Sequence, residues 1–243
     1  MRVLSVLGVA SLFGLVLSSP ARRYQKLPST APRYPKKSYS KGFMLVVNVT
    51  DPATDFDPPI HNSYITSFHT GAGQGLVGIV NANGRVFYQN GTDKEVREHR
   101  SNIISDGGTP IAPQGFQLTQ DEYDETISAA TLNFGPGSAG VFISSYPEPY
   151  AYLMPETFIA CDEKLPYYGG RKAITIKRST ATVEDGGFSY HNIPDECIAV
   201  RLIPQCTELG GCPKDATSSH QYAIHSGCYD DVASIKWPIY ASE

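Results

Sequence analysis

Short runs of β-branched and aromatic residues, each followed by glycine, proline or asparagine, constrain the fold of this chain most strongly. In the run GFMLVVNVT at 42–50, apolar residues alternate with polar ones at Asn48 and Thr50, so a strand there buries one face. Turn-forming residues recur at intervals of about 8–12 positions, which is typical of sandwiches and barrels. We therefore predict an all-β fold, a mainly antiparallel β-sandwich, with a barrel as the alternative.

Two short stretches match the capping-box spacing, in which a threonine caps a backbone N–H and a glutamate three residues later reaches back. They begin at Thr92 and Thr119 and predict short helices over 93–100 and 120–128. Helix signals are otherwise thin, so we expect one or two short helices beside the strands.

A hairpin is predicted in the middle of the chain. The runs TLNFG at 131–135 and AGVFIS at 139–144 both favour strands, and Pro136-Gly137-Ser138 between them is a turn sequence. We expect these two strands to pair with each other.

The stretch HTGAGQGLVGIV contains a literal G-x-G-x-x-G at 73–78. In a dinucleotide-binding turn, such glycines lead into a helix whose N-terminus holds the pyrophosphate. Here only seven residues separate Gly75 from the Asn-Gly pair at 83–84, and Asn-Gly between two β-type runs is typical of a hairpin turn. We therefore predict a two-stranded ribbon of 75–80 with 85–89, and no nucleotide site.

The same stretch then remains as a glycine loop beside a histidine. Glycine in such a loop permits a bulge or a close backbone approach. A strand-end histidine without a role is the simpler interpretation of His69, and a ligand-binding loop is the alternative. The candidate loop residues are His69, Gly71, Gly73, Gln74 and Gly75.

The first residues have the pattern of a secretory signal peptide. A positive charge at Arg2 precedes an apolar run from Val3 to Leu17, and small residues follow it. The run is shorter than the about 20 residues that a membrane-spanning helix needs, which disfavours a retained anchor. We expect residues 1–19 to be removed and the mature chain to be secreted and extracellular, without a membrane segment.

Residues 20–41 form a basic leader. They contain seven lysines and arginines and no acid, whereas residues 42–243 contain 12 basic and 24 acidic residues, a net charge of −12. The leader composition is typical of disorder. Three interpretations remain open: a solvated leader, a propeptide cut after Arg22-Arg23 or Lys36-Lys37, and a tether to anionic wall polymer or to the acidic domain. The acidity of 42–243, which we take as a single β-rich domain, disfavours nucleic acid as a partner.

Cysteines and glycosylation sequons fit a secretory environment. Asn48 and Asn90 each begin an N-glycosylation sequon. All five cysteines lie in the C-terminal third, where disulfides are the first interpretation in a secreted chain.

The spacing of the cysteines narrows their pairing. Cys197 and Cys206 flank an extended apolar run and are too far apart to bond each other. Cys161 ends one strand and Cys197 begins another, which favours an antiparallel bridge between them. Cys206 can reach Cys228 or Cys212. We favour Cys206–Cys228 and leave Cys212 unpaired.

No motif for nucleophilic or metal chemistry is complete. There is no G-x-S-x-G and no H-E-x-x-H, and the acidic stretches lack the twelve-residue calcium loop with its central glycine and terminal glutamate. His220 and His225 are five positions apart, which places them on different faces of a helix or strand. We therefore expect no metal and no cofactor, and the catalytic residues, if any, stay unknown.

A tyrosine-rich stretch indicates a different kind of site, an aromatic surface on which sugars stack. The alternative is that prolines space out tyrosines whose rings cover the core while their hydroxyls stay in water. The presence of only one tryptophan, Trp237, favours the alternative. The candidate surface residues are Tyr146, Tyr150, Tyr152, Tyr167 and Tyr168.

Four segments resemble an uncharacterised domain family of small secreted proteins from ascomycete fungi: KGFMLVVNVTDP, FHTGAGQGLVGIV, CIAVRLIPQC and HQYAIHSGCYDDVASIKW. The resemblance covers about residues 42–240 and implies no catalytic residue. We expect a non-catalytic extracellular or cell-wall-associated protein that acts by surface interaction, with wall polysaccharide or a host surface as candidate partners. The alternative is a secreted carbohydrate-binding module or hydrolase with its site near His69–Gly75.

Overall fold

The computed structural model of the chain describes residues 34–183 and 189–240, and strands form most of their regular structure. One α-helix, α1 (Asp93–Arg97), and two 3₁₀ turns, Pro52–Thr54 and Trp237–Ile239, accompany them. No helix in these two stretches is long and apolar enough to cross a membrane. The strands are β1 (Ser38–Ser40), β2 (Gly42–Val49), β3 (Tyr64–Gly71), β4 (Gln74–Val80), β5 (Val86–Asn90), β6 (Asn102–Gly107), β7 (Ala112–Gln120), β8 (Ile127–Phe134), β9 (Phe142–Ile143), β10 (Leu153–Met154), β11 (Phe158–Lys164), β12 (Lys172–Ser179), β13 (Ala181–Val183), β14 (Ser189–His191), β15 (Cys197–Thr207) and β16 (Ser226–Cys228).

Ten of the strands form one large antiparallel sheet in the order β11-β15-β2-β3-β4-β12-β8-β7-β6-β5. Further pairings of β11 with β12, β2 with β5 and β4 with β8 fold this sheet over on itself, and the result is sandwich-like and not a closed barrel. Three two-stranded sheets accompany it, β1 with β16, β9 with β10 and β13 with β14. The predicted β-sandwich is confirmed.

Apolar residues of the central strands β2 and β15 build the core. In β2, Phe43, Leu45 and Val47 are fully buried, and Asn48 is partly exposed. β15 aligns with β2 over eight residue pairs and places Leu202, also fully buried, opposite Val47. These side chains belong to one large apolar cluster, and each contributes roughly 1.5–3 kcal/mol of burial free energy. One core therefore supports both strands that later form the candidate site.

Two disulfides tie the C-terminal part of the chain together. Cys161 of β11 is the antiparallel neighbour of Cys197 in β15, and the two are bonded. Cys206, farther along β15, is bonded to Cys228 in β16. Cys212 has a free, exposed thiol. These are the two pairs that the spacing favoured.

Helix α1 begins with the predicted capping box. The Thr92 hydroxyl accepts the Glu95 N–H at 3.3 Å, and a Glu95 carboxylate oxygen accepts the Thr92 N–H at 2.8 Å. The helix is shorter than the predicted range of 93–100, because His99 takes the left-handed conformation, with φ 53°, that ends helices.

The second predicted helix, over 120–128, is wrong. Those residues complete β7, turn and enter β8, so that Thr119, the expected cap, pairs with Ala129 across the turn. The Asp121 and Asp124 carboxylates each accept the N–H of the residue two positions later, at 2.8 Å. Such contacts stabilise tight turns, and here they replace the helical hydrogen bonds.

The predicted ribbon of 75–80 with 85–89 is also wrong. β4 pairs with β3, β8 and β12, whereas β5 pairs with β2 and β6. Asn83 does take the positive φ of 56° that an Asn-Gly bend favours. The Arg85 N–H then donates to the Ile65 carbonyl of β3 at 2.9 Å, which leads the chain past β3 to other partners. The absence of a nucleotide-binding helix after the glycines still holds, because β4 and a bend occupy those positions.

The predicted hairpin of 131–135 with 139–144 is wrong for a similar reason. β8 pairs with β7, and the short strand β9 pairs with β10. The connecting residues run along β7 instead of forming a tight turn: the Ser138 N–H donates to the Phe116 carbonyl at 2.8 Å, and the Ser138 hydroxyl accepts the Leu118 N–H at 3.0 Å.

Part of the predicted disordered leader is ordered. Residues 34–41 contain β1, which pairs along its whole length with β16, and the Lys37 ammonium donates to the Glu148 carbonyl at 3.3 Å. Composition alone did not indicate these contacts, because they come from residues distant in sequence. The remainder of the leader and the predicted signal peptide, residues 1–33, lie outside the described residues.

Candidate functional site

The predicted glycine loop is the tip of the β3–β4 hairpin. Pairing shifts register between His69 and Gly71, so the tip is bulged, and Gly73 has a φ of 67°. His69, Gly73 and Gln74 are exposed, and Gly75 is buried. The loop lines neither of the two cavities described below. Its role in ligand binding stays a prediction.

The last glycine of the G-x-G-x-x-G string has a packing role. A Cβ at Gly78 in β4 would overlap the ring of Phe68 in β3. Glycine at this position therefore makes room for an aromatic ring between two paired strands.

The five candidate tyrosines do not form one surface. Tyr150 and the buried Tyr152 line the larger cavity, and Tyr146 is exposed in the loop before them. Tyr167 and Tyr168 lie in the turn between β11 and β12. β11 separates the two groups, and its seven residues span roughly 20 Å.

The larger cavity, which we call the aromatic cleft, has a volume of about 610 Å³. Its walls come from β2, from β15, from the loop that leads into β10 and from the C-terminal 3₁₀ turn. It is lined by Asn48, Val49, Thr50, Pro52, His61, Glu148, Tyr150, Tyr152, Arg201, Ile203, Ile235, Trp237, Pro238 and Tyr240.

Arg201 and two glutamates set the charge of the cleft. The Arg201 Nε lies 2.7 Å from Glu156 Oε1, and its guanidinium carbon lies 5.1 Å from the centre of the Tyr152 ring. Glu148 accepts the Tyr150 N–H at 3.0 Å and hydrogen-bonds the Tyr152 hydroxyl. Burial first, and then the Glu156 and Glu148 carboxylates, raise the pKa of Tyr152, so its hydroxyl stays a donor. Both carboxylates therefore have partners within the protein.

A buried tyrosine supports the tryptophan of the cleft. The Tyr229 ring meets Trp237 edge-on with ring centres 5.8 Å apart, and its hydroxyl accepts the Ala151 N–H at 3.0 Å. Burial is the main cause that raises the pKa of Tyr229 to about 12. The Trp237 Nε1–H is itself buried, with no hydrogen-bond partner among the described residues, which costs about 1–3 kcal/mol. Trp237 thus occupies its place at some cost to stability.

A histidine adds a donor to the polar side of the cleft. His61 Nδ1 accepts the Val49 N–H at 3.2 Å, so the ring proton lies on Nε2. The Asp55 carboxylate accepts the backbone N–H groups of Ile60 and His61 at 3.0 and 3.2 Å, which fixes the loop that carries the histidine.

A second cavity, of about 450 Å³, shares no lining residue with the aromatic cleft. Arg85 is its fixed cation: Nε donates to the Ser105 hydroxyl at 3.0 Å, and Nη2 donates to the Asp106 carbonyl at 2.9 Å. Burial lowers the pKa of Arg85, and the Asp106 carboxylate opposes that effect. The cavity is lined by Arg85, Val86, Ser105, Asp106, Ile111, Leu209, Gly210 and Gly211.

Beside this cavity, Asp106, Cys212 and His220 form what we call the thiol cluster. One carboxylate oxygen, the sulfur and one ring nitrogen all lie within 4.8 Å of one another, and His220 Nε2 is 2.7 Å from Asp106 Oδ2. Tyr88 lies beneath with its hydroxyl 3.5 Å from Asp106 Oδ1 and its ring edge-on to His220. Partial burial and the Asp106 carboxylate raise the pKa of the Cys212 thiol, so at neutral pH it is a weak nucleophile.

The sequence indicates only part of these two sites. Tyr150 and Tyr152, two of the five candidate surface tyrosines, line the cleft, whereas the single Trp237 argues against an aromatic surface and Cys212 is the cysteine that pairing leaves over. His220 was compared with His225, which is exposed and is not in the thiol cluster. The usable signal was the odd cysteine, which is unusual in a disulfide-bonded chain and has a histidine eight positions later.

Comparison with known proteins places this architecture in a family. Residues 40–206 match the family model described as "Domain of unknown function (DUF7907)". The chain is 52% identical over 209 residues to the "Antigenic protein SchS34" of Stachybotrys chartarum, a match that covers 86% of this chain and 95% of that protein. No solved structure matches the chain. The expected membership in an uncharacterised fungal family is confirmed: the chain belongs to the DUF7907 family.

Proposed function

We propose that this protein is a secreted fungal protein that acts by binding and not by catalysis, and that the aromatic cleft is its binding site. The observation that carries the proposal is the position of Trp237 and Tyr150 beside Arg201 in one cavity of about 610 Å³. Ligand sites are typically concave, with volumes of roughly 300–1,000 Å³, aromatic walls and a few polar groups.

Secretion and N-glycosylation are parts of the same proposal. The signal-peptide pattern at 1–19 and the two disulfides favour an oxidising, extracellular environment. A relative that carries the name antigenic protein is compatible with such a location. Both sequon asparagines, Asn48 and Asn90, are partly exposed, and Asn48 lines the cleft.

The chemistry of the cleft favours a saccharide unit of a wall polysaccharide as the ligand. A sugar ring has an apolar face that packs on an aromatic ring and an edge of hydroxyl groups that need donors and acceptors. Trp237 and Tyr150 supply aromatic faces, while Arg201 and the His61 Nε2–H supply donors. Glu148 adds an acceptor.

The same residues argue against glycoside hydrolysis in the cleft. A glycosidase needs two carboxyl groups that flank the scissile bond, one of them acting as an acid. Glu156 is held in an ion pair with Arg201, and Glu148 is held by the Tyr150 N–H and the Tyr152 hydroxyl. Both carboxylates position side chains of the cleft, so binding is the activity that we infer.

The single tryptophan makes the proposal directly testable. Trp237 is the only tryptophan of the chain, so tryptophan fluorescence, excited at a wavelength that tyrosine does not absorb, reports on the cleft alone. The mature protein is treated with an endoglycosidase, because a glycan on Asn48 would crowd the cleft, and is titrated with chitin, β-glucan and mannan oligosaccharides. We expect a saturable change in emission with one of these sugars.

Substitutions locate the response. Tyr150→Ala should weaken the saturable response by at least about tenfold, which is 1.4 kcal/mol of binding free energy. Tyr167→Ala removes an exposed tyrosine from the far end of β11 and should leave the response unchanged. No fluorescence response and no retention on any of the three polysaccharides would overturn the proposal.

A further inference from the structure

We propose that the thiol cluster binds a divalent transition-metal ion of the zinc type through the Cys212 sulfur, a ring nitrogen of His220 and a carboxylate oxygen of Asp106. None of these three residues lines the aromatic cleft, so the metal proposal and the saccharide proposal can be tested independently of each other.

The donor set selects the class of ion. Thiolate, imidazole and carboxylate are the ligands that Zn²⁺ takes in proteins, whereas Ca²⁺ and Mg²⁺ take oxygen ligands alone. Three protein ligands leave one position of a tetrahedral site for water or another small ligand. Asp106 and Gly211 line the small cavity, so that position is within reach of solvent.

The distances are close to those that coordination needs. The three donor atoms lie within 4.8 Å of one another, and bond lengths of about 2.0–2.3 Å in a tetrahedral site separate ligand atoms by about 3.3–3.6 Å. Metal binding therefore requires two small movements: the Cys212 sulfur approaches by about 1 Å, and His220 Nε2 and Asp106 Oδ2, now 2.7 Å apart, separate by about 0.6 Å. Asp106 is fixed in β6, so the movements fall on His220 and on the Cys212 loop. Gly210 and Gly211 precede the exposed cysteine, and their surroundings hold no atom within 4 Å of a Cβ position, so the loop has room to move.

Buried neighbours orient two of the three ligands. Tyr88 is 1% exposed, and its hydroxyl lies near Asp106 Oδ1 while its ring stands 4.7 Å from His220. Arg85 holds the Asp106 backbone carbonyl. Outer hydrogen-bond partners of this kind fix the direction in which ligand atoms point.

Charge and protons balance in the bound state. The Cys212 thiol gives its proton to solvent and binds as thiolate, and together with the Asp106 carboxylate it offsets the two positive charges of the ion. His220 binds as the neutral ring, with its one proton on the nitrogen that does not bind the metal. The 2.7 Å contact between His220 and Asp106 then becomes a pair of bonds to the same ion.

Cobalt titration tests the proposal on the full mature protein, made without a histidine tag in a secretory host and freed of metal with a chelator. We expect one Co²⁺ per chain, a thiolate-to-cobalt charge-transfer band in the near ultraviolet, and visible bands of tetrahedral intensity that one equivalent of Zn²⁺ removes. Cys212→Ser should abolish the charge-transfer band. It should also weaken cobalt binding by more than about 100-fold, because the loss of a metal ligand costs more than the loss of an outer hydrogen-bond partner, which costs about 10- to 100-fold.

Matched variants separate ligation from general effects. His225→Gln removes an exposed histidine of the same segment outside the cluster and should bind Co²⁺ as the wild type does. Tyr88→Phe keeps the ring and removes the hydroxyl, so it should keep the bands and weaken binding about tenfold. Asp106→Asn and His220→Gln should each weaken binding at least as much as Tyr88→Phe.

Clear outcomes overturn the proposal. A charge-transfer band that persists in Cys212→Ser, or octahedral Co²⁺ bands without a thiolate contribution, would show that the cluster is not the site. So would a thiol reagent that modifies Cys212 at the same rate with and without Zn²⁺. Cys212 lies on an exposed loop, so Cys212→Ser is expected to fold and decides the question even if a variant of Asp106 does not fold.

Discussion

The aromatic cleft and the thiol cluster are built in the same way and have different chemistry. Each joins strands of the large sheet to the C-terminal segment 208–240. In each, a buried tyrosine supports the ring that this segment contributes, Tyr229 under Trp237 and Tyr88 under His220. The segment lies beyond residue 206, where the match to the family model ends.

The two tyrosine hydroxyl groups have different roles. The Tyr229 hydroxyl accepts a backbone N–H from Ala151, so it holds the scaffold. The Tyr88 hydroxyl lies near the Asp106 carboxylate, so it contacts one of the three side chains of the thiol cluster. The same arrangement, a buried tyrosine against a ring of the C-terminal segment, therefore occurs at a cleft with aromatic walls and at a cluster of three proposed metal ligands.

Removing the Cys206–Cys228 disulfide should have the largest effect on both sites, because it anchors the C-terminal segment to β15. The bridge closes a separation of 22 residues, and the chain-entropy model gives a loss of about 3 kcal/mol in unfolding free energy for the double alanine variant. We also expect the sugar response of Trp237 and the cobalt bands of Cys212 to weaken together. Denaturant unfolding and the two titrations measure these effects.

The other disulfide is the matched control. Cys161–Cys197 joins β11 to β15 and closes 36 residues, so its removal should cost a similar amount, about 4 kcal/mol. Cys161 and Cys197 both lie outside the C-terminal segment. The folded variant should therefore keep both the sugar response and the cobalt bands of the wild type. If the two double variants damage both sites equally, the C-terminal segment is not the shared element of the comparison.

Local features of the fold could be predicted from sequence, because they depend on near neighbours. The apolar run that forms β2, the capping box at Thr92 and the separation of Cys197 from Cys206 all lie within about ten residues of chain. Strand pairing could not be predicted in the same way. Asn83 bends as an Asn-Gly turn does, but the strands after the bend pair elsewhere, since long-range packing decides the partner.

The sites could not be predicted for the same reason. Asp106 and His220 are 114 positions apart, and Arg201 meets Glu156 across 45 positions. No periodicity or motif spacing connects such residues. Two local signals exist, the tyrosine run that contains Tyr150 and Tyr152 and the unpaired Cys212, and neither identifies the distant residues that complete its site.

Tyr229→Phe tests the scaffold role of that hydroxyl. The substitution leaves the buried Ala151 N–H without its acceptor, which should cost about 1–3 kcal/mol of unfolding free energy. Tyr88→Phe should cost less, because the Tyr88 hydroxyl has only a 3.5 Å contact with Asp106. Urea unfolding at neutral pH compares the two variants, and a larger loss for Tyr88→Phe would reverse the assigned roles.

Alkaline pH gives a second measure of Tyr229. Burial raises its pKa to about 12, above the value of about 10 for an unfolded chain. The unfolded state therefore loses this proton first as pH rises, so the stability that the protonated tyrosine contributes is complete below about pH 10 and is lost toward pH 12. The unfolding free energy of the wild type should fall more steeply over this window than that of Tyr229→Phe. Urea unfolding at stepped pH, with tyrosinate absorbance, measures the difference, and equal slopes would contradict it.

Arg201→Leu should have the smallest effect on stability and the most selective effect on function. Its ion pair with Glu156 is partly exposed, and such pairs contribute less than about 1 kcal/mol to the unfolding free energy. The sugar response of Trp237 should nevertheless weaken, because the cleft loses its cation, while the cobalt titration of the thiol cluster stays unchanged. Glu156→Gln frees Arg201 from its charged partner and should keep the sugar response, which separates loss of the cation from loss of the ion pair. If Arg201→Leu changes the cobalt titration, the aromatic cleft and the thiol cluster are coupled through the fold. Binding at one site would then depend on the other, although the two sites have different chemistry.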